Sequence, residues 1–470
     1  MPSFASSKSR VGRTSPTFRI LNVFLIVVFL GGGASRTDVQ SLIFLRPLAL
    51  LVVAYGLFKI SIDDVRRFPV AFALLGSMVL LTVLHLVPLP PALWTALPGR
   101  GLIAEIDHAS GIGPVWRPLS MVPAMTRNAL YSLTVPIAVL LLAVRLDDRE
   151  RAMLVPVFIL FGVASGLLGL LQIAGNTGGH LLLYAQTTIG TANGLFANRN
   201  HGGVLLACTF PLLAAYAVGR SSGRNGQLTL WLAGAVTILL VALVLVVGSR
   251  AGLLCTILAI LLSPLLALDR LAKVPHATRR LAMLVYAGGC AGLIILGLIF
   301  VIAARAESLS RLFASDVTGD RRLQVWEPVL VMIRQYFPFG SGIGSYIKVF
   351  QANEPRDVLT RNYSNHAHND WLEVVMTAGL PGLAILLFAV SAVVILGSTA
   401  WRRGRLANPL LARTATIVLL LLGLASIADY PLRVPSMMAF FVVALLWLEA
   451  RPAPEQTRVS DERVRRRRPR

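Results

Sequence analysis

Apolar runs of about twenty residues alternate with short polar segments over most of this chain. A continuous apolar run of this length is enough for an α-helix to cross a bilayer, whereas a barrel strand would show alternating segments of about ten residues. The pattern therefore predicts an all-α polytopic membrane protein with about twelve transmembrane helices. The predicted spans lie near residues 18–33, 43–60, 69–89, 128–144, 153–174, 202–218, 230–247, 253–268, 281–303, 380–400, 409–427 and 434–449.

Charged residues between the runs predict how the chain is oriented. Hydrophobic residues make up 56% of the 470 residues and charged residues only 14%, with a formal net charge of +22. Basic residues gather at both ends of the chain and in alternate loops, which is the distribution of the positive-inside rule. We therefore expect a multi-pass membrane protein with both termini on the cytoplasmic side. Its positive charge is expected to contact membrane lipids and no nucleic acid.

This topology divides the chain into segments. The expected segments are a basic cytoplasmic N-terminus at 1–17, an N-terminal transmembrane bundle at 18–189 with an outside loop at 90–126, a second membrane region at 190–450 with a large outside loop at 304–367, and an Arg-rich cytoplasmic tail at 451–470. Apolar residues recur at helical spacing in the large loop: Leu323, Trp326, Val329, Leu330 and Ile333. This spacing predicts a loop subdomain of short amphipathic helices on the membrane surface.

Two of the seven histidines, His366 and His368, lie where a polar loop meets the span that starts near residue 380. Ionisable residues at such a place mark a functional site, and a histidine can take up a proton near neutral pH. His368, which Asn369 follows, is therefore the candidate base. Anchoring of a helix start through backbone hydrogen bonds is the alternative for His368. For His366 we expect a supporting or structural role.

Two arginines also fall on the predicted outer face. Arg250 stands in a tight turn between two spans, and Arg322 opens the segment that leads to Trp326. A guanidinium at the bilayer edge needs an anionic partner, and its planar fork pairs phosphate oxygens bidentately. The two arginines therefore suit a lipid diphosphate, whose leaving group needs charge stabilisation while an acceptor hydroxyl loses its proton. Snorkelling to lipid headgroups is the alternative for Arg250.

Other polar residues are expected to support this site: Ser249, Asn198, Asn200, His201 and Trp326. Asp429 and Arg433 are close in sequence, and we expect them to form a local ion pair.

His368-Asn369 is followed by nine residues and then by Gly379-x-x-Gly382. This pattern resembles the motif of the O-antigen ligase and O-antigen polymerase superfamily of bacterial envelope enzymes. The turn around Arg250, the segment from Arg322 to Trp326 and the element from Asn198 to His201 are similar in order and topology, so the resemblance covers roughly residues 190–440. It implies an inverting glycosyltransferase of the GT-C type that needs no metal and no cofactor. His368 is the implied base, and Arg250 and Arg322 are the implied diphosphate ligands.

The resemblance also implies a protein of the bacterial inner membrane with a periplasmic active site and a periplasmic location for the outside loops. The implied reaction transfers a glycan from an undecaprenyl-diphosphate carrier to an acceptor hydroxyl on the periplasmic face. We place ligation to lipid A-core ahead of repeat-unit polymerisation on a growing glycan, and transfer to a protein third. A lipid-linked sugar transporter or flippase is the alternative from another class, but it would carry charged residues deep in several spans. The predicted spans have almost no acidic residues or lysines at their centres, which favours an enzyme.

Overall fold

The computed structural model describes residues 14–174, 180–187, 190–221, 225–272, 321–356, 364–402 and 407–450, together with residues 292 and 359. Its α-helices are α1 Pro16–Gly31, α2 Leu42–Lys59, α3 Ile62–Arg67, α4 Pro69–Leu84, α5 Pro91–Trp94, α6 Gly101–Ala109, α7 Pro123–Ser132, α8 Thr134–Ala143, α9 Asp148–Ala174, α10 Arg199–Arg220, α11 Gly226–Val247, α12 Arg250–Leu262, α13 Leu268–Leu271, α14 Arg321–Tyr336, α15 Tyr346–Asn353, α16 Asp370–Arg402, α17 Pro409–Ala428 and α18 Pro435–Glu449. Short 3-10 helices lie at Ser263–Ala267 and Pro431–Arg433. Strands β1, Pro88–Leu89, and β2, Arg117–Pro118, pair antiparallel.

Most of the long helices are apolar enough to cross a membrane. The described residues contain eight such candidate spans: Leu42–Lys59, Pro123–Ala143, Asp148–Ala174, Arg199–Arg220, Gly226–Val247, Arg250–Arg270, Asp370–Arg402 and Pro409–Ala428. Helices α1, α4 and α18 are apolar but shorter. The prediction of an all-α polytopic membrane protein is thus confirmed, while the number of twelve spans stays a prediction. The span expected at residues 281–303 and the tail at 451–470 lie outside the described residues.

The main hydrophobic core surrounds α10, α17 and α18. Helix α10 packs against α9, α11, α12 and α17, and α18 packs against α8 and α17. Aromatic rings fill the space between α9 and α18: the Phe158 ring stacks on Phe440 at 4.5 Å between centroids and meets Trp447 edge-on at 5.9 Å. Such offset and edge-to-face contacts are the favoured arrangements of aromatic pairs. These contacts stabilise the packing of α9 against α18.

A second, smaller core joins α14 and α15 to the start of α16. Val329 and Met332 of α14 are buried with Tyr346 and Phe350 of α15 and Met376 of α16. The helix that the apolar spacing predicts in this segment is therefore confirmed. Its position on a membrane surface stays a prediction.

Helix α16 contains a sharp kink at Gly379, the first of the two glycines in the His-Asn motif. Its φ of 58° and ψ of −145° are not helical, and a Cβ there would lie 2.1 Å from the carbonyl oxygen of Pro338. Glycine is therefore required at this position. The backbone groups freed by the kink find partners in the loop after α14, because Leu380 N–H donates to Pro338 at 2.7 Å and Gly342 N–H donates to Thr377 at 2.8 Å.

The same loop is fixed from the opposite side by His85 and Arg100. His85 Nδ1 accepts a hydrogen bond from the N–H of Ile343 at 3.0 Å, and Arg100 donates to the carbonyl of Gly340 at 3.1 Å. Burial, with a smaller contribution from Arg100, lowers the pKa of His85 to about 4. His85 is therefore neutral and able to accept this bond at neutral pH.

Candidate active site

Three helices, α10, α12 and α16, begin in one polar region, and each start is capped by the side chain just before it. The side-chain oxygens of Asn198, Ser249 and Asn369 accept hydrogen bonds from backbone N–H groups two or three residues further on, at 2.9, 3.0 and 3.1 Å respectively. Asn and Ser are preferred at this position because they satisfy otherwise unpaired N–H groups. Helix N-termini carry partial positive charge, so the three starts favour anions in this region.

The starts of α10 and α12 touch each other. A Cβ on Gly252 would lie 2.8 Å from the Cα of Gly203, so the two backbones approach closely. The Ser249 hydroxyl donates to Asn200 Oδ1 at 2.9 Å across this contact. Arg250, which follows Ser249, is exposed at the first position of α12. The packing therefore brings Arg250 next to the polar residues of α10.

Asp429, directly after α17, is the centre of the polar network. It is 1% exposed, and its Oδ2 accepts hydrogen bonds from Asn200 Nδ2 at 2.5 Å and from Asn198 Nδ2 at 3.3 Å. Its Oδ1 lies 3.3 Å from His368 Nδ1 and 3.8 Å from His201 Nε2. A buried carboxylate is stable only with such partners. Asp429 thus connects His368 to the residues that begin α10.

The hydrogen bond to Asp429 fixes which nitrogen of His368 is available. A carboxylate only accepts hydrogen bonds, so Nδ1 carries the proton and Nε2 presents its lone pair. Nε2 makes no hydrogen bond with any residue that the structure describes, and the side chain is 25% exposed. His368 therefore has the geometry of a general base that is oriented by a carboxylate.

His368 also has strained backbone. Its φ is +49°, the only positive φ at a non-glycine residue in the described part of the chain. Such a conformation costs on the order of 1–3 kcal/mol and is held by the surrounding structure, most often at functional sites. The capped start of α16 and the bond to Asp429 hold the imidazole in this orientation.

The Tyr430 ring lies among three histidines. Its centroid is 4.2 Å from that of His366, 5.1 Å from His368 and 5.0 Å from His201. Burial raises the pKa of the Tyr430 hydroxyl, and the neighbouring Asp429 carboxylate raises it further. Tyr430 is therefore a neutral ring in contact with all three histidines.

Both ring nitrogens of His366 have partners. Nδ1 lies 3.1 Å from Oε1 of the buried Glu373, and Nε2 lies 3.1 Å from the hydroxyl of Ser35. Glu373 Oε2 also accepts a hydrogen bond from the N–H of Ala367 at 2.9 Å. His366 therefore joins the turn after α1 to the first turn of α16.

The ion pair expected between Arg433 and Asp429 is wrong. Arg433 Nε donates to Asp370 Oδ1 at 2.7 Å, and Nη1 lies 3.1 Å from Glu373 Oε1. Burial alone would lower the pKa of Arg433, but the two carboxylates outweigh it and raise the pKa. The physical reason is that the first turn of α16 presents two carboxylates to Arg433, whereas Asp429 is held by the polar residues that begin α10 and by His368.

The structure brings most of the predicted site residues together. The network around Asp429 contains His368, Asn198, Asn200, His201 and Ser249, and His366 contacts the ring of the adjacent Tyr430. Asn369 caps α16 and Arg250 lies at the edge of the network. Trp326 is on α14, which packs against α16, and its buried Nε1 has no hydrogen-bond partner among the described residues. Arg322 is in the first turn of α14, and its side chain lies outside the described residues.

Sequence reasoning did not find the roles of Asp429, Tyr430 and Glu373. Carboxylates are rare in and next to the apolar runs. An acidic residue in such a place is a functional-site candidate, and this signal could have pointed to Asp429 and Glu373. No comparable signal existed for Tyr430, because its contacts with the histidines join segments that are far apart in the chain.

The fold and site define a polytopic helical membrane protein with a carboxylate-oriented histidine where helices begin. Residues 234–387 match the Wzy_C family model, described as O-antigen ligase. The match includes Arg250, His368 and the Gly379 kink, and it confirms the resemblance to the O-antigen ligase and polymerase family. This family implies a glycosyltransferase-like enzyme of O-antigen and lipopolysaccharide biosynthesis. No curated protein matches the chain.

Proposed function

We propose that this protein is an inverting, metal-independent glycosyltransferase of the GT-C type. It transfers a glycan from an undecaprenyl-diphosphate carrier to a hydroxyl of lipid A-core on the periplasmic face of the inner membrane. The observation that carries the proposal is the pairing of His368 Nδ1 with buried Asp429, which leaves Nε2 accessible within the segment that matches the family.

In the proposed reaction, the acceptor hydroxyl gives its proton to His368 Nε2 as its oxygen attacks the anomeric carbon of the donor glycan. The bond between that carbon and the diphosphate oxygen breaks, so the configuration inverts and the lipid diphosphate leaves with the bonding electrons. Asp429 holds the imidazole in the required tautomer and stabilises the imidazolium that forms. No covalent intermediate is needed.

The leaving diphosphate needs positive charge more than it needs protonation. We assign this role to the guanidinium groups of Arg250 and Arg322, whose planar forks suit phosphate oxygens. Support comes from the position of Arg250 at the first residue of α12, because anions bind favourably at helix N-termini. The capped start of α10 lies against the same place and adds to the positive potential.

The proposed topology has about twelve spans with both termini in the cytoplasm. Support comes from α1, α2, α4, α8 to α12 and α16 to α18, which overlap eleven of the twelve predicted apolar runs. In this orientation the network around Asp429 faces the periplasm, where lipid-linked glycans with a completed repeat unit would be used.

A strain that lacks the gene tests the proposal when it is complemented with wild type or with His368→Ala. Lipopolysaccharide is separated on gels, and immunoblots of membranes check that both proteins insert equally. We expect wild type to restore polymer on the core, and we expect His368→Ala to leave core alone with polymer retained on the carrier lipid. A full polymer ladder from His368→Ala would contradict the assignment of the base.

Repeat-unit polymerisation uses the same donor chemistry and is the second candidate, and the gel separates it from ligation. Core that carries a single repeat unit in the deletion strain would assign polymerisation. His368 would then activate a sugar hydroxyl on a second carrier-linked glycan.

A further inference from the structure

Helix α4 is too short to cross the hydrocarbon core of a bilayer. It contains 16 residues and is therefore about 24 Å long, whereas the hydrocarbon core is about 30 Å thick. Arg66 and Arg67 come just before it and mark its end at the predicted cytoplasmic surface. The other end, at Leu84, then lies inside the hydrocarbon core. Leu84 and Val87 are exposed on the protein surface, as lipid-facing side chains are.

The segment after α4 therefore starts at membrane depth. Strand β1 follows and pairs with β2, with Leu89 opposite Arg117. Trp116 comes directly before β2 and is 65% exposed. Tryptophan is enriched where hydrocarbon meets the head groups, because its ring is apolar and its N–H is polar. The charge of Arg117 does not oppose this placement, because its Nε donates to Asp107 at 2.7 Å.

Helix α16 gives the level of the membrane independently. Its part from Leu380, just after the kink, to Arg402 is about 34 Å long, which is enough to cross the hydrocarbon core. Exposed apolar side chains begin at Leu380 and recur down to Ile395. The outer boundary of the hydrocarbon core is therefore close to Leu380.

The loop after α14 lies at this boundary. The N–H of Leu380 donates to the carbonyl of Pro338 at 2.7 Å. Phe337 and Phe339, on either side of Pro338, are both exposed. The same loop binds His85, directly after α4. The levels indicated by α4 and by α16 therefore meet in one place.

Helix α6 begins next to the same loop. Arg100, just before α6, donates to the carbonyl of Gly340 at 3.1 Å. Leu102 and Ile106 are one turn apart on α6, and both are exposed. A short helix with such an apolar face is suited to the boundary between head groups and acyl chains.

We infer that the exposed apolar side chains of these segments dock into the outer leaflet, between the acyl chains and the glycerol groups of phospholipids. We call this surface the apolar rim, and it consists of Val87, Leu102, Ile106, Trp116, Phe337 and Phe339. The helix lengths favour lipid over a protein as the occupant, because they place the rim at membrane depth. The apolar stripe of α14 is not part of the rim, since Val329 and Met332 are buried in the second core. The inference does not depend on the proposed reaction.

Photo-cross-linking tests the rim in the full-length protein, in nanodiscs of phosphatidylethanolamine and phosphatidylglycerol. Phe339→p-benzoylphenylalanine places in the rim a photoreactive ring that inserts into C–H bonds of acyl chains. Gln351→p-benzoylphenylalanine is the matched control, at an exposed position of α15 outside the rim. Burial of an aromatic ring in hydrocarbon is strongly favoured, so we expect about tenfold more phospholipid adduct at Phe339 than at Gln351. Adducts are identified from the mass of the intact protein.

Fluorescence quenching measures the depth of Trp116. The nanodisc phospholipids carry bromine either near the glycerol or near the ends of the acyl chains, and the signal of Trp116 is the difference between wild type and Trp116→Phe. We expect the shallow bromines to quench this signal about threefold more than the deep ones. Trp231, which is 79% exposed on the candidate span α11, is the reference for a ring in contact with lipid.

The inference requires both results. Cross-links from Phe339→p-benzoylphenylalanine to a second copy or to another protein, without phospholipid adducts, would assign the rim to a protein interface and overturn it. A Trp116 signal that acrylamide quenches from water and bromine leaves unchanged would show that the rim lies outside the bilayer, which overturns it as well. Neither readout needs turnover, so an active His368→Ala variant would contradict the proposed function without altering these results.

Discussion

Two histidines contact the Tyr430 ring, and their hydrogen bonding differs. His368 uses one nitrogen to bind Asp429, leaves the other without a hydrogen bond to any described residue, and is 25% exposed. His366 uses both nitrogens, on Glu373 and Ser35, and is 13% exposed. Each imidazole is oriented by a buried carboxylate, so orientation alone does not separate them. The difference is that only His368 keeps a lone pair available to a substrate.

This contrast indicates how two neighbouring histidines divide their roles. A base must reach the proton that it removes, whereas a histidine with two occupied nitrogens serves to hold loops together. The strained backbone at His368 agrees with this division, because strain is retained where geometry serves function. We therefore assign the chemistry to His368 and a structural role to His366.

The largest expected effect comes from Asp429→Asn. The amide would no longer enforce the tautomer of His368 or stabilise its protonated form, so we expect the transfer rate to fall by about 10³-fold. Donor affinity should stay within about threefold of wild type, because Asp429 is not assigned to the diphosphate. The measurement is transfer in proteoliposomes, with Asp63→Asn in the predicted cytoplasmic loop as the control. A fall of less than about tenfold would remove Asp429 from the proposed site.

Arg250→Lys tests whether the guanidinium of Arg250 binds the donor diphosphate. Lysine keeps the charge but loses the planar fork, so the Kd for the diphosphate donor should rise by about 10- to 30-fold. Arg66→Lys, in a predicted cytoplasmic segment, should bind the donor as wild type does. Wild-type donor binding by Arg250→Lys would show that this guanidinium only contacts lipid headgroups.

His366→Gln tests whether His366 has a structural role. We expect transfer to fall by less than about tenfold, while the free energy of unfolding falls by about 1–3 kcal/mol as buried Glu373 loses a partner. The two readouts are the transfer rate and thermal unfolding in detergent. A loss of chemistry without a loss of stability would reverse the roles of the two histidines.

The smallest effect on activity is expected at His85, a third histidine with a structural role. Its pKa of about 4 is below its ordinary value of 6.5, so its stabilising contribution is present above about pH 6.5 and is lost as the pH falls from 6.5 towards 4. The loss at pH 4 is on the order of 3 kcal/mol. His85→Asn keeps an acceptor for Ile343 and cannot be protonated, so its unfolding should lack this contribution. Identical pH dependence of unfolding in wild type and variant would contradict the assignment.

The general fold could be predicted because twenty-residue apolar runs have few physical alternatives. The helix in the large loop followed from the apolar spacing around Val329, and the kink in α16 occurs at a glycine that the motif already contained. Local pattern and local structure agree at these places because the interactions that decide them are close in sequence.

The network around Asp429 could not be predicted in this way. Its contacts join Asn200 to Asp429 across 229 positions and His368 to Asp429 across 61 positions, which no pattern in a single sequence specifies. Proximity in sequence was misleading for Arg433, because a 3-10 turn separates it from Asp429. Residue type indicated which side chains could act as a base or bind phosphate. Only the tertiary structure showed which of these side chains are in contact.

Single-turnover transfer with donor already bound is the measurement that separates the role of His368 as base from the structural role of His366. Wild type, His368→Gln and His366→Gln would be loaded with carrier-linked glycan and then mixed with acceptor, with the Kd for the donor measured separately. We predict that His368→Gln binds donor as wild type does and transfers about 10³-fold more slowly, while His366→Gln stays within about tenfold of wild type. Near-normal transfer by His368→Gln, or a larger loss in His366→Gln, would contradict this prediction.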